Sequence, residues 1–186
     1  MSGRSDVDAR QGDGTGSSVP DTPWTPPTAK QRLEILRRTR TVAIVGMSQD
    51  PSRASYFVAT YLHSSSCNFE KVWFVNPKGG EAFGEPFHPS LADLPEAPDL
   101  VDVFRRADQL PSVAEEIVAV GGIRTMWAQL GLWSDEAAAI AHAAGLDVVM
   151  DRCLKIEHAR FHGGLHLAGF DTGVINSKRR GAFART

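Results

Sequence analysis

TVAIVGMSQDPSRASYFVATYLHSS (41–65) decides the fold. It opens on TVAIVGM (41–47), a continuous apolar run of the kind a central parallel strand buried on both faces requires. A glycine turn follows, and from Ser55 the spacing becomes helical, with Phe57, Val58, Tyr61 and Leu62 on one stripe. The same strand–turn–helix alternation continues outward in both directions. Upstream, AKQRLEILRRT (29–39) reads as a short amphipathic helix with Leu33 and Leu36 on its apolar side. Downstream, KVWFVNP (71–77) is a second strand ended by Pro77, and EAFGEPFHPSLADLPEAP (81–98) is loop-like with a brief strand near Phe87. DLVDVF (99–104) is a third strong strand, and DQLPSVAEEIVAVGG (108–122) is a helix closed by glycines. RTMWAQLG (124–131) and LDVVMDR (146–152) are strands around the helix SDEAAAIAHAAG (134–145). That helix has Ser134 as N-cap, Asp135 and Glu136 in its first turn and Gly145 after its end. Such alternation implies right-handed crossovers and a mainly parallel five-stranded sheet with helices on both faces, a three-layer α/β sandwich.

The whole chain has 186 residues, 42% of them hydrophobic, which allows one domain plus tails. Residues 1–28 are rich in Gly, Ser, Thr, Asp and Pro and nearly empty of aliphatic side chains, so they read as a disordered leader with Trp24 as a lone docking point. The folded domain is expected over 29–161, with an extension and basic tail over 162–186. A net charge of −2 gives no support for a dedicated nucleic-acid partner. No apolar run reaches the ~20 residues of a membrane span, and no signal pattern begins the chain. Cys67 and Cys153 do not make a disulfide scaffold, and a cytoplasmic location fits them.

Ligands of such sheets bind at the carboxyl ends of the strands. The first strand ends in Gly46, where the backbone can approach a ligand closely, and Ser48, Ser55 and Arg53 crowd the next helix N-terminus. This is neither a GxGxxG fingerprint nor a Walker loop, and an ordinary turn with a serine cap is the plain alternative. The second strand ends in Asn76-Pro77-Lys78, a cation where a dehydrogenase places an acidic ribose partner. A solvated turn lysine would look the same. The third ends in Val103-Phe104-Arg105, and the last two bring Gln129, Asp151 and Cys153 towards one crevice.

These pieces in this order resemble the stand-alone CoA-binding proteins, Rossmann-like relatives of the CoA-binding domain of the succinyl-CoA synthetase α subunit. The resemblance runs from about Arg38 to Phe161 and is carried by TVAIVGMSQDPSRASYFVATYL, VNPKGGEAFGEPFHPSLADLP, DLVDVFRR, TMWAQLG and GLDVVMDRCLKIEH. It implies coenzyme A as ligand, free or acylated. Gly46, Ser48, Arg53 and Ser55 would hold the diphosphate, and Lys78 would neutralise the phosphate on the ribose. Val103, Phe104 and Arg105 would border the adenine, while Gln129, Asp151 and Cys153 would lie towards the pantetheine. The synthetase's second domain, with its phosphorylated histidine, has no counterpart in this sequence. The expectation is therefore a binding module without self-sufficient catalysis. A subunit of a CoA-dependent ligase or transferase and a NAD(P)-binding protein are the alternatives. A homodimer through exposed Trp or Phe side chains or the extension is allowed and not required.

Three further readings stand apart from that assignment. Cys153, if it faces the end of the pantetheine arm, would form a mixed disulfide with CoA under oxidation, a thiolate there being helped by Arg152 and a following helix N-terminus. His158, His162 and His166 recur every four residues, but Gly163 and Gly164 favour a turn, so surface or subunit-contact histidines are expected rather than a metal site. Asp99 and Asp102 read as strand-edge residues on opposite faces.

Overall fold

The structure is a computed structural model, and it describes residues 23–64 and 67–162. Among the described residues, seven strands and five α-helices follow as α1 (Ala29–Arg38), β1 (Thr41–Val45), α2 (Ala54–Leu62), β2 (Lys71–Val75), β3 (Glu81–Ala82), β4 (Glu85–Pro86), β5 (Leu100–Val103), α3 (Leu110–Val120), β6 (Thr125–Ala128), α4 (Asp135–Ala143), β7 (Asp147–Val149) and α5 (Leu154–His162). The main sheet has five strands in the order β2-β1-β5-β6-β7, and every pairing in it is parallel. Strand order reverses beside β1, so the crevice above the carboxyl ends of β1 and β5 is the natural ligand site. The α/β three-layer architecture expected from the sequence is present.

Both faces of the sheet are sealed by apolar side chains. Val45, Val101 and Val103 pack under α3 and α4 with Leu110, Ile117 and Ala141. Ile44, Leu100 and Trp127 pack under α1, α2 and α5 with Leu36, Leu62 and Leu154. The helix ends follow local chemistry. Thr28 and Gln31 form a capping box on α1, and the Ser134 hydroxyl accepts from Ala137 N on α4. α3 carries Pro111 in its first turn and stops at Gly121, whose φ is +70°.

Several details differ from the sequence reading. α2 buries Ser55, Val58, Ala59 and Leu62, while Phe57 turns outward at 61% exposure beneath the Lys155 ammonium, 3.5 Å from its ring centre. The apolar stripe is thus rotated away from Phe57, whose ring gains a cation contact instead of core packing. The loop near Phe87 holds the short antiparallel pair β3–β4 and a bridge from Val75 to His88. Residues 23–28, placed in the leader by composition, lie against the domain. Trp24 packs on Trp133 at 5.3 Å and donates its indole N–H to Val148 O at 3.1 Å, covering part of the β7 edge. Asp102 is not a strand-edge residue: it is fully buried in β5, the middle strand. No helix among the described residues is long and apolar enough to cross a membrane.

Candidate functional site

The site begins at the turn after β1. Gly46 has φ +88°, and a Cβ there would stand 2.5 Å from the carbonyl oxygen of Phe104. Only glycine lets the β1 turn lie this close to the exit of β5. Gly46 N and Met47 N both donate to Val75 O, and the Asn76 side-chain amide donates to Met47 O at 2.7 Å. Asn76 Oδ1 in turn accepts from Lys78 N at 3.0 Å, so one asparagine fixes the exits of β1 and β2 together. The Lys78 side chain stands exposed at this rim.

α2 starts immediately beyond, after Arg53, with no side-chain hydrogen bond capping it. Its first-turn N–H groups and positive dipole end therefore face the crevice without a protein acceptor supplied by the cap. The Ser55 hydroxyl accepts from Ser48 N at 3.2 Å, and the Ser48 hydroxyl accepts from Asp50 N at 3.1 Å. Each hydroxyl keeps its hydrogen to donate elsewhere. Asp50 shapes the loop: Ser52 donates to it from Oγ and N, which holds its carboxyl below the usual range. Arg53 is exposed, with Nε 3.8 Å from Asp50 Oδ2. This constellation can cradle a phosphate.

A cavity of about 450 Å³ opens beside the turn, lined by Val45 and Val75 at the strand ends, by Pro77 and Arg105, and by Gln109 and Ser112 near the start of α3. Its size is in the range of small-molecule sites. Arg105 is the one sequence-predicted site residue in its lining. Val103 is fully buried and belongs to the core, while Phe104 is half-buried and meets Gly46 through its carbonyl.

Gln129 and Asp151 are tied into the protein. Gln129 Nε2 donates to Asp102 Oδ1 at 2.7 Å. Asp102 Oδ2 is buried and has no hydrogen-bond partner. Burial pushes the Asp102 carboxyl up to about 8, against the lowering effect of the Gln129 bond. Sequence reasoning missed this group, although an acid inside the run LVDV was the signal. Asp151 has φ +53°, and its carboxylate accepts from Gly131 N at 2.7 Å. It also lines a small cavity with Pro26, Pro27 and Trp133. The structure therefore brings together Gly46, Ser48, Ser55, Asn76, Phe104 and Arg105, and sets Asp151 at the far edge strand.

Cys153 corrects the thiolate expectation. It is buried at 9% exposure, and burial pushes its thiol up despite the N–H groups of Ile156 and Lys155. The Arg152 guanidinium donates to Asp151 O. The histidines differ as well. α5 continues to His162, and His158 is fully buried, with His162 stacked on it at 4.1 Å. Asn68 Oδ1 lies 2.6 Å from His158 Nε2, which therefore donates, and Nδ1 accepts from the Tyr61 hydroxyl at 2.9 Å. Burial holds this imidazole down to about 4. No group of three metal-ligating side chains occurs among the described residues, and His166 lies outside them.

Comparison with known proteins gives relatives of this chain and of its fold. The chain is 37% identical over 133 residues to the uncharacterized protein YneT of Bacillus subtilis, covering 72% of this chain and 96% of the relative. The solved structure of cell-free ID.343 from Thermus thermophilus superposes with a TM-score of 0.65 at 35% identity, covering 73% of this chain and 99% of that one. The dinucleotide-forming acetyl-coenzyme A synthetase 1 of Ca. Korarchaeum cryptofilum shares 25% identity at a TM-score of 0.53, over 62% of this chain and 27% of the enzyme. A family model described as CoA binding domain matches residues 40–159, from the approach to β1 through most of α5, and the chain belongs to that family.

Proposed function

We propose that this protein binds coenzyme A or an acyl-CoA across the carboxyl ends of β1, β2 and β5, and contributes binding rather than self-contained catalysis. The observation that carries the reading is the β1–α2 turn. Within a CoA binding domain, Gly46 presses against Phe104 O and opens a helix N-terminus that no side chain caps. Gly46, Ser48, Ser55 and Arg53 take the diphosphate. Lys78, held at the rim through Asn76, takes the phosphate on the ribose, and Arg105 with the half-buried Phe104 borders the adenine. The pantetheine arm then runs towards β6 and β7, past Gln129. The engaged nitrogens of His158 and the raised thiols of Cys67 and Cys153 leave these groups poor bases and nucleophiles, which favours binding without chemistry. Both cysteines are free, which suits the reducing cytoplasm.

The likeness to one domain of an acetyl-coenzyme A synthetase favours a second reading, a CoA-binding component working with a catalytic partner. Calorimetric titration of the full chain with CoA and with NAD tests the first. CoA is expected to bind one per chain and NAD to bind far more weakly. NAD binding without CoA binding would overturn the assignment.

A further inference from the structure

A second cavity lies at the β7 end of the sheet, apart from the β1–α2 turn. Its volume is about 110 Å³, too small for a nucleotide. Pro26, Pro27, Trp133 and Val149 give it apolar walls, and two guanidinium groups complete the lining, Arg32 of α1 and Arg152 beyond β7. Arg32 is only 4% exposed. Its Nε donates to Glu157 at 2.7 Å and its Nη1 to Pro27 O at 2.6 Å. Its Nη2 donates to no described residue and is not one of the buried unpartnered atoms, so it meets solvent, and in so enclosed a side chain the cavity is where it does so. Arg152 is half-buried and forms no ion pair among the described residues. Its backbone is pinned on both sides: N donates to Ala128 O at 3.3 Å, and O accepts from the Trp127 indole at 2.7 Å. Of its guanidinium, only Nη1 is spent, on Asp151 O. The nearby carboxylates are committed elsewhere, Glu157 to Arg32 and Asp151 to Gly131 N.

We propose that this cavity is a binding site for a short-chain carboxylate: Arg152, with the spare Nη2 of Arg32, takes the carboxylate, and the wall of Pro26, Pro27, Trp133 and Val149 takes its few carbons. A partly desolvated guanidinium without a counter-ion matches a carboxylate through paired N–H groups. The apolar wall favours an acid with a carbon tail over a bare inorganic anion. Because Pro26 and Pro27 belong to the segment entering the domain, the ligand would also tie that segment to the end of β7. The inference stands apart from the CoA reading, since none of its contacts lies at the β1–α2 turn.

The experiment follows the indole N–H signals of the full chain by NMR during titration with propionate, and with phosphate and chloride at matched ionic strength. Propionate is expected to move the Trp133 signal to saturation while Trp73, in the core on β2, stays in place. Phosphate and chloride are expected to act at least about tenfold more weakly. Arg152→Met, which keeps the apolar stem and removes the charge, is expected to weaken propionate about tenfold or more. Should that variant fail to fold, Arg152→Gln carries the test with the same expected loss. Equal shifts with chloride would reduce the effect to charge screening and overturn the inference. Phosphate binding as tightly as propionate would overturn it too, as would a variant that titrates like the wild type. CoA does not enter this test, so its outcome is independent of the CoA assignment.

Discussion

Gly46 and Arg53 test the phosphate turn from opposite sides. Gly46→Ala puts a methyl group against a backbone carbonyl at φ +88°, so it should lower stability by about 1–3 kcal/mol, read from denaturant midpoints. Arg53 is exposed and caps nothing, so Arg53→Ala should leave that midpoint unchanged. It should weaken CoA about ten- to a hundredfold, the value of a charge-assisted phosphate contact. Unchanged CoA affinity would remove Arg53 from the site. At this scale the sequence was readable where a residue type has one reason to be present. Gly46 after an apolar strand is such a case. Cys153 was not, because its reactivity depends on burial, which the residues beside it do not reveal. Asp102 was misread because strand spacing gives the face of a residue and not its depth in the sheet.

Among the elements, α5 shows what periodicity could and could not convey. Its pattern is weakly amphipathic because its buried face carries Glu157, His158 and Arg160 beside Leu154 and Phe161. Polar residues on a buried face defeat pattern reading, and their partners come from distant parts of the chain. Glu157 is paired with Arg32 of α1 at 2.7 Å, and both side chains are only 5% exposed. Arg32 also donates to Pro27 O, so one buried pair joins α1, α5 and the segment entering the domain. Removing one member leaves a buried charge alone, and Glu157→Ala should cost about 3–5 kcal/mol in chemical denaturation. The double change Arg32→Met with Glu157→Leu should recover most of that loss. A loss that persists in the double variant would show that packing, rather than the unpaired charge, set the cost. β1, β2, β5 and β6 were legible because each is a short apolar run between turn residues, and α4 because Ser134 and Gly145 mark its ends.

For the whole molecule, two buried groups set opposite limits on stability with pH. His158 in the folded chain takes no proton until about pH 4, whereas the unfolded imidazole takes one near its ordinary value of 6.5. Stability from this group is therefore lost as pH falls from about 6.5 towards 4. Asp102 keeps its proton to about pH 8 when folded and releases it near 3.8 when unfolded. Its contribution is present at low pH and lost as pH rises from about 4 to 8, with a slope of at most about 1.4 kcal/mol per pH unit. Between about pH 4 and 6.5 the two slopes oppose and nearly cancel, so denaturation of the wild type should show a plateau there and a decline from about 6.5 to 8, which Asp102→Asn should flatten. Parallel curves for the two proteins would mean that Asp102 does not titrate in that window. The parallel sheet was visible in the alternation of strands and helices, whereas the switch in strand order beside β1 was not. The cavity beside α3 depends on how separate segments meet, and no local pattern announced it; Trp24 was legible as a docking point, but its seat on Trp133 and Val148 was not. The central claim, that the rim of this crevice reads CoA, is tested most directly by titrating wild type and Lys78→Ala with CoA and dephospho-CoA. The wild type is expected to prefer CoA about tenfold and Lys78→Ala to bind the two alike. A wild type that binds CoA and dephospho-CoA equally, or neither, would contradict it.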